Sequence, residues 1–334
     1  MERIDLSCGS LGEVPLLEEV IQEALKSVDV SSLGYYSDPQ GLLELREQVA
    51  ELYDTTADNV LITSSGQQAV HLAFDYVDKD NVLIQQPSYF GAIRLLKDTH
   101  TKILGDQVTP EDVVYLTSNF HSVTSKSISE QEKDFLAESG ATVIEDNPYD
   151  FLHYDQKPTP ILERNFDNTI HVGSFSKILA PGLRVGYVIA EREVIEKLRK
   201  IKINHDLFTP TLNQQVCSYA LKQDYLDELR EQFKQKRDSA HQILTKYFSG
   251  TDITWEKPEG GLFFLLQGNE VSMEKVVGIA KDKYSLVLGK DKFSYLDGKS
   301  RNAVRINFVS TPSSVFAEAV DRLYNTYQEV KNEL

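Results

Sequence analysis

The chain has 334 residues, 41% hydrophobic and 26% charged, an ordinary globular balance with room for one large domain and a smaller one. Its formal net charge of −16 argues against nucleic acid or an anionic membrane as partner. Two cysteines, Cys8 and Cys217, make no disulfide framework and suit a reducing, cytoplasmic setting; no run approaches the roughly eighteen apolar residues a membrane helix needs, and the start has no signal-peptide core.

In chain order the pattern alternates helices with short apolar strands. Residues 13–27 have helical periodicity with Pro15 near the start. The turn Gly34-Tyr35-Tyr36-Ser37-Asp38-Pro39-Gln40-Gly41 precedes a helix over 42–53. A buried strand at 60–63 runs into Ser64-Ser65-Gly66-Gln67-Gln68, which opens a helix over 69–77. Small residues there leave backbone N–H groups free at a helix N-terminus, an anion site by geometry and dipole. The strand at 81–86 ends in Pro87-Ser88-Tyr89-Phe90-Gly91.

A strand at 113–117 and a helix over 129–139 follow, then a buried strand at 142–145 that ends in Glu145-Asp146-Asn147-Pro148-Tyr149. No histidine or cysteine at ligand spacing accompanies these carboxylates, so a metal site is not expected. Strands at 169–172 and 185–190 flank Gly173-Ser174-Phe175-Ser176-Lys177 and a Pro-Gly bend. Helices are expected over 192–204, 206–222 and 224–248. Shorter strands and helices then alternate at 252–256, 261–266, 273–283, 286–288, 303–308 and 313–330.

Strand–helix alternation with short buried strands predicts an α/β fold: a three-layer α/β/α large domain with a mostly parallel sheet, plus a smaller α+β domain. The expected division is a segment 1–30 joining the small domain, a large domain 31–245 and a small C-terminal domain 246–334.

A lone loop lysine is usually a solvated charge. Around Lys177, however, stand Ser174, Ser176 and Arg184, and hydroxyls with a guanidinium suit a phosphate. A partly desolvated lysine beside a phosphate site suits Schiff-base chemistry with pyridoxal phosphate. Ser174 to Lys177 also spells S-x-x-K, but the K-T-G and S-D-N strings of serine acylases are absent.

The run G-S-F-S-K-x-x-x-P-G-x-R-x-G-Y resembles the cofactor-lysine segment of fold-type I pyridoxal-phosphate aminotransferases of class I/II. The nearest flavour is the aminoadipate, kynurenine and aromatic aminotransferases and the catalytic domain of MocR-type regulators. The resemblance runs from about residue 5 to 325. It implies that Lys177 holds pyridoxal 5'-phosphate as an aldimine. Gly66 and Gln67 match the G-x-Q-Q-A turn that cradles its phosphate, with Ser65 where the family has its first glycine. Ser174, Ser176 and Arg184 are implied at the same phosphate. Tyr89 matches the tyrosine that stacks on the pyridine ring. In D-x-P-Y, Asp146 would protonate the pyridine nitrogen and Tyr149 would bond the phenolic oxygen.

Tyr36 matches a tyrosine that crosses a homodimer interface to the neighbour's phosphate. Arg305, in Val304-Arg305-Ile306-Asn307-Phe308, matches the arginine that grips the substrate carboxylate. One departure stands out. Relatives carry N-P-T-G where this chain reads Ser122-Val123-Thr124-Ser125. Ser122 thus replaces an asparagine that donates to the phenolic oxygen, with His121 and Asn119 as neighbouring candidate donors.

The expected activity is amino transfer between an L-amino acid and a 2-oxo acid, with shared active sites in a cytoplasmic homodimer. A β-lyase, decarboxylase or racemase would use the same parts. A non-catalytic cofactor or amino-acid sensor is the further alternative, which the lack of a basic N-terminal DNA-binding module disfavours. Side-chain specificity is not legible; Tyr35, Phe120 and Phe264 are candidate wall residues, though each reads first as ordinary packing.

Overall fold

The computed structural model describes residues 2–97 and 99–333. Seven strands make the main sheet: β1 (Val60–Thr63), β2 (Val82–Ile84), β3 (Lys102–Ile103), β4 (Val113–Leu116), β5 (Thr142–Asp146), β6 (Thr169–Ser174) and β7 (Gly186–Ile189). Their order is β1-β7-β6-β5-β4-β2-β3, and all pairs are parallel except those of β7 with β1 and β6.

Alternation along each strand divides the core between two faces. Ile84, Tyr115 and Ile144 pack on one side with α1 (Gly66–Tyr76) and α2 (Arg192–His205). Leu83, Val114 and Val143 pack on the other with Leu136 of α3 (Glu130–Glu138). The expected three-layer α/β/α body with a mostly parallel sheet is therefore present. Ser129 starts α3 with a full capping box: its hydroxyl accepts from Glu132 N–H while the Glu132 carboxylate accepts from Ser129 N–H.

A second sheet, antiparallel throughout, has the order β10-β11-β9-β8, formed by β8 (Ile253–Thr254), β9 (Phe263–Gly268), β10 (Gly289–Lys290) and β11 (Ala303–Asn307). The 23-residue helix Leu226–Phe248 leads from the first sheet to the second. Near the N-terminus, Ile4–Asp5 pairs in parallel with Leu286–Val287, while the helix Pro15–Lys26 packs on the helix Thr211–Leu221.

Local readings differ from the structure in places. The helix expected over 206–222 is only Thr211–Leu221, because Pro210 lacks an N–H and pushes Thr209 out of helical geometry. Asp206 instead accepts from Lys202 Nζ at 2.8 Å. The strand expected at 252–256 shrinks to Ile253–Thr254. The short helix Phe90–Leu95 and strand Lys102–Ile103 had no expectation.

Candidate functional site

One cavity of about 370 Å³ opens at the carboxyl ends of β5 and β6, the place where open α/β sheets bind ligands. Most of the sequence-derived residues meet there: Gly66, Gln67, Tyr89, Ser122, Asp146 and Tyr149 on one part of the wall, Ser174, Ser176, Lys177, Arg184 and Arg305 on the rest. Tyr36 does not. It is 85% exposed, edge-on to Phe208 at 5.9 Å, outside its own chain's cavity.

Lys177 ends the single 3-10 turn Phe175–Lys177 that follows β6. Its Nζ donates to Gly9 O at 2.8 Å and lies 5.9 Å from the Tyr149 ring centre. Burial, with Arg305 and Arg184 nearby, lowers its pKa to about 8. Asp146 ends β5, fully enclosed, and accepts the Tyr115 hydroxyl on Oδ2. Burial raises its pKa to about 6 against the pull of that hydrogen bond and of His171. Such a carboxylate is stabilised by a cationic or N–H partner. Burial also holds the Tyr149 hydroxyl protonated, well above its usual range.

The opposite end is built for an anion. Helix α1 begins at Gly66, and no side chain among the described residues caps it. Its first N–H groups and dipole therefore face the cavity. Ser65 sits at φ 111°, a conformation that favours glycine, so the serine at this position carries backbone strain. A Cβ on Gly186 would stand 2.5 Å from Gly66 N, so glycine keeps β7 close to the turn. Ser174 Oγ accepts from Ser176 N–H at 3.2 Å, and Arg184, left-handed at φ 52°, completes the cluster. Tyr89 donates to Gln67 Oε1 at 2.6 Å. A phosphate at this end, with a flat ring reaching from Tyr89 to Asp146 and Tyr149, matches the donors present.

Arg305 lies mid-strand in β11, its guanidinium 4.0 Å over the Phe263 ring. Nη1 donates to Ser122 O at 2.7 Å and Nη2 to Ser7 O at 2.9 Å. Asn307, two residues on, donates to the carbonyls of Cys8 and Ser10 at 2.7 and 2.8 Å. The strap of residues 7–10 is thus stitched across the cavity by Arg305, Asn307 and Lys177. Sequence reading missed this strap and Tyr115, and Gly9 was the only local signal.

Neither alternative donor near Ser122 lines the cavity. Asn119 is spent on Asp150 and Lys133. His121 Nδ1 accepts from Val123 N–H, which leaves the proton on Nε2, buried without a partner among the described residues. Phe120 and Phe264 are buried in the core, the ordinary packing expected first for them, and Tyr35 is 78% exposed beside Tyr36. The aromatic side chains lining the cavity are Tyr89, Phe90, Tyr149 and Phe263. Ser122 Oγ is buried with no hydrogen-bond partner among the described residues. No group of three or more metal-ligating side chains occurs among the described residues, nor a helix long and apolar enough to cross a membrane.

The family model for aminotransferase class I and II matches residues 4–112 and 110–323. Aromatic-amino-acid aminotransferase 1 of Thermococcus litoralis is 28% identical over 361 residues, covering 95% of this chain and 85% of the relative. The uncharacterised HTH-type transcriptional regulator YisV of Bacillus subtilis is 29% identical over 316 residues, covering 84% of this chain and 64% of the regulator. In fold, the chain superposes with a TM-score of 0.89 on the α-aminoadipate aminotransferase LysN of Thermus thermophilus, a structure complexed with N-(5'-phosphopyridoxyl)-L-leucine. That match has 24% identity and covers 99% of this chain and 94% of the other. With the family model spanning nearly its whole length, the chain belongs to the class I and II aminotransferases, fold-type I enzymes that use pyridoxal phosphate to move amino groups between amino acids and 2-oxo acids.

Proposed function

We propose that Lys177 carries the cofactor and that the enzyme moves the amino group of an L-amino acid to a 2-oxo acid. The observation that carries this assignment is the desolvated Lys177 ammonium, lowered to about 8, in one cavity with Asp146 and Arg305. Bound there, pyridoxal phosphate supplies an electron sink for a carbanion at the substrate α-carbon.

The side chains do the rest. Gly66 and Gln67 N–H, the hydroxyls of Ser174 and Ser176, and Arg184 hold the phosphate. Tyr89 lies against the ring, Asp146 holds a proton at the ring nitrogen, and Tyr149 donates at the ring oxygen. Arg305 binds the substrate carboxylate bidentately. Its present partners are neutral carbonyls, which orient the guanidinium without neutralising it. Lys177 Nζ, whose burial favours the neutral amine, takes and returns the α-proton. Positioned proton transfer of this kind contributes roughly 10²–10⁴ in rate.

We further propose a cytoplasmic homodimer with shared sites and no nucleic-acid or membrane partner. Tyr36 and the adjoining Tyr35, 85% and 78% exposed, are offered to a second copy and to that copy's phosphate. The two free cysteines support a reducing compartment. The chain is read as a cofactor-binding body over 31–245 and a smaller body over 246–334, which the segment 1–30 joins.

One observation favours a second reading: the unpartnered Ser122 Oγ stands where the resemblance expects an asparagine. A shifted reaction, such as β-elimination, decarboxylation or racemisation, is that alternative. A screen of amino donors against several 2-oxo acids separates them. Amino transfer requires a new amino acid made from the acceptor. Keto acid, amine or the D-enantiomer of the donor without amination of the acceptor supports the second reading, and spectral change without any product supports a sensor.

A further inference from the structure

Beneath the cavity, on the opposite face of the sheet, lies a buried polar cluster that the reaction does not use. Successive strand side chains point to opposite faces, so Asp146 faces the cavity while Glu145 faces away. The Glu145 carboxylate is fully buried. It accepts from Ile161 N–H at 2.7 Å, Leu162 N–H at 3.1 Å and the Ser118 hydroxyl. His171, its register partner on β6, lies with Nδ1 2.9 Å from the same carboxylate.

The other side of the imidazole reaches a second carboxylate. His171 Nε2 lies 3.2 Å from the Tyr53 hydroxyl and 3.6 Å from Asp150 Oδ2. Asp150 Oδ1 accepts from Asn119 Nδ2 at 3.0 Å, and Asn119 Oδ1 accepts from the wholly buried Lys133 Nζ at 2.9 Å. Tyr187 closes the cluster, its hydroxyl 3.0 Å from that of Tyr53.

Glu145 and Asp150 are buried acids on either side of the ring; Asp150, raised by burial to about 6, is still mostly ionised at neutral pH. The nearby buried cation, Lys133, is already paired with the Glu130 carboxylate at 3.0 Å, so an imidazolium at His171 is the cation that faces both acids. As an imidazolium the ring donates Nδ1–H to Glu145 and Nε2–H to the Tyr53 hydroxyl, whose own proton then turns to Tyr187 or Asp150, whereas a neutral ring would accept from Tyr53 at Nε2. Burial pushes the His171 pKa down, but the hydrogen bond and charge of Glu145 outweigh it and leave it raised.

Glu145 immediately precedes Asp146, and Asp150 immediately follows Tyr149. His171 therefore touches both ends of the six-residue stretch 145–150, of which Asp146, Pro148 and Tyr149 line the cavity. We propose that His171 is a positioning residue: held as an imidazolium between Glu145 and Asp150, it clasps the stretch that aims Asp146 and Tyr149 at the cofactor ring. This rests on the assignment of those two residues to the ring.

The test has two arms on the cofactor-loaded enzyme. Selective 15N-histidine NMR at neutral pH, with the His171 signal assigned by its loss in His171→Gln, should show that ring with both nitrogens protonated, apart from the buried and neutral His121; the His171 ring found as a single neutral tautomer overturns the proposal. In the second arm, His171→Gln keeps a polar side chain but cannot serve both carboxylates as a cation. It should weaken cofactor binding by about tenfold or more and move the midpoint of the cofactor's visible-band pH titration. The amino donor's KM, read at Arg305, should stay within about twofold. A purely structural histidine would lower the melting temperature and leave band midpoint and cofactor affinity at wild-type values, and that result also overturns the proposal. Asp146→Asn separates the two assignments: if it shifts the band and His171→Gln does not, only the clasp falls. If neither shifts it, the ring assignment of Asp146 falls as well.

Discussion

The backbone carbonyl of Gly9 accepts the Lys177 ammonium at 2.8 Å, and a Cβ on Gly9 would stand 2.8 Å from that same nitrogen. A residue near the N-terminus thus sets where the reactive amine sits. Nζ is the end of a flexible chain and can move aside, so Gly9→Ala should fold normally. It should nevertheless slow amino transfer by roughly 10²-fold, the usual consequence of an ångström-scale misplacement. Single-turnover kinetics with a saturating amino donor check this, and a wild-type rate would show that the strap tolerates the methyl group.

Arg305→Ala should raise the KM for amino acids by about tenfold or more, since a charge-assisted hydrogen bond contributes roughly 1.5–3 kcal/mol. Cofactor affinity should hold, because the phosphate donors lie at the other end of the cavity. Unchanged half-reaction kinetics would remove Arg305 from carboxylate binding.

The lowered Lys177 pKa gives a pH signature in the cofactor-free protein. Attack on the cofactor aldehyde needs the neutral amine. The association rate should therefore climb about tenfold per unit up to the pKa near 8, then level off. Stability follows with a definite sign. Between about pH 8 and the unfolded value near 10.4, the unfolded chain holds more protons at this site. The lysine thus adds stability as pH rises through that window. Denaturant titrations should show the gain in wild type and lose it in Lys177→Met. A flat association rate from pH 6 to 9 would contradict the shift.

Much of this was legible locally. The G-S-F-S-K turn, the D-x-P-Y stretch and the small-residue start of α1 each sit within one strand-to-helix connection, where pattern and turn chemistry are read directly. Ser65 shows the limit: its φ of 111° explains why the resemblance expects glycine there, yet nothing in the neighbouring letters reveals it. The strap was invisible because Gly9 and Lys177 are 168 positions apart and meet only through tertiary packing. Tyr115 looked like one more apolar strand residue, and its hydroxyl acquires meaning only because β4 lies beside β5. The helix expected from Asp206 failed for a local reason, the weight given to periodicity over Pro210.

Ser122 offers a gain-of-contact experiment. Its buried hydroxyl lacks a partner, and it lines the cavity through a loop that Arg305 also grips. Ser122→Asn lengthens the arm and restores the donor that the resemblance expects. Both the cofactor's spectral titration and the amino-transfer rate should change. Identical curves and rates would place Ser122 off the cofactor.

Tyr36 tests the shared site. Lys177→Ala and Tyr36→Phe should each be impaired as homodimers, whereas mixed subunits should regain activity in the hybrids that hold one intact site. A fully active monomer by light scattering would refute the assignment.

The central claim is that Lys177 holds the cofactor, and one measurement addresses it directly. The purified holoenzyme is reduced with borohydride, digested, and the phosphopyridoxyl adduct located by peptide mass spectrometry. A single adduct is expected on the peptide bearing Lys177, abolished in Lys177→Ala. An adduct on another lysine, or its persistence in that variant, would contradict it.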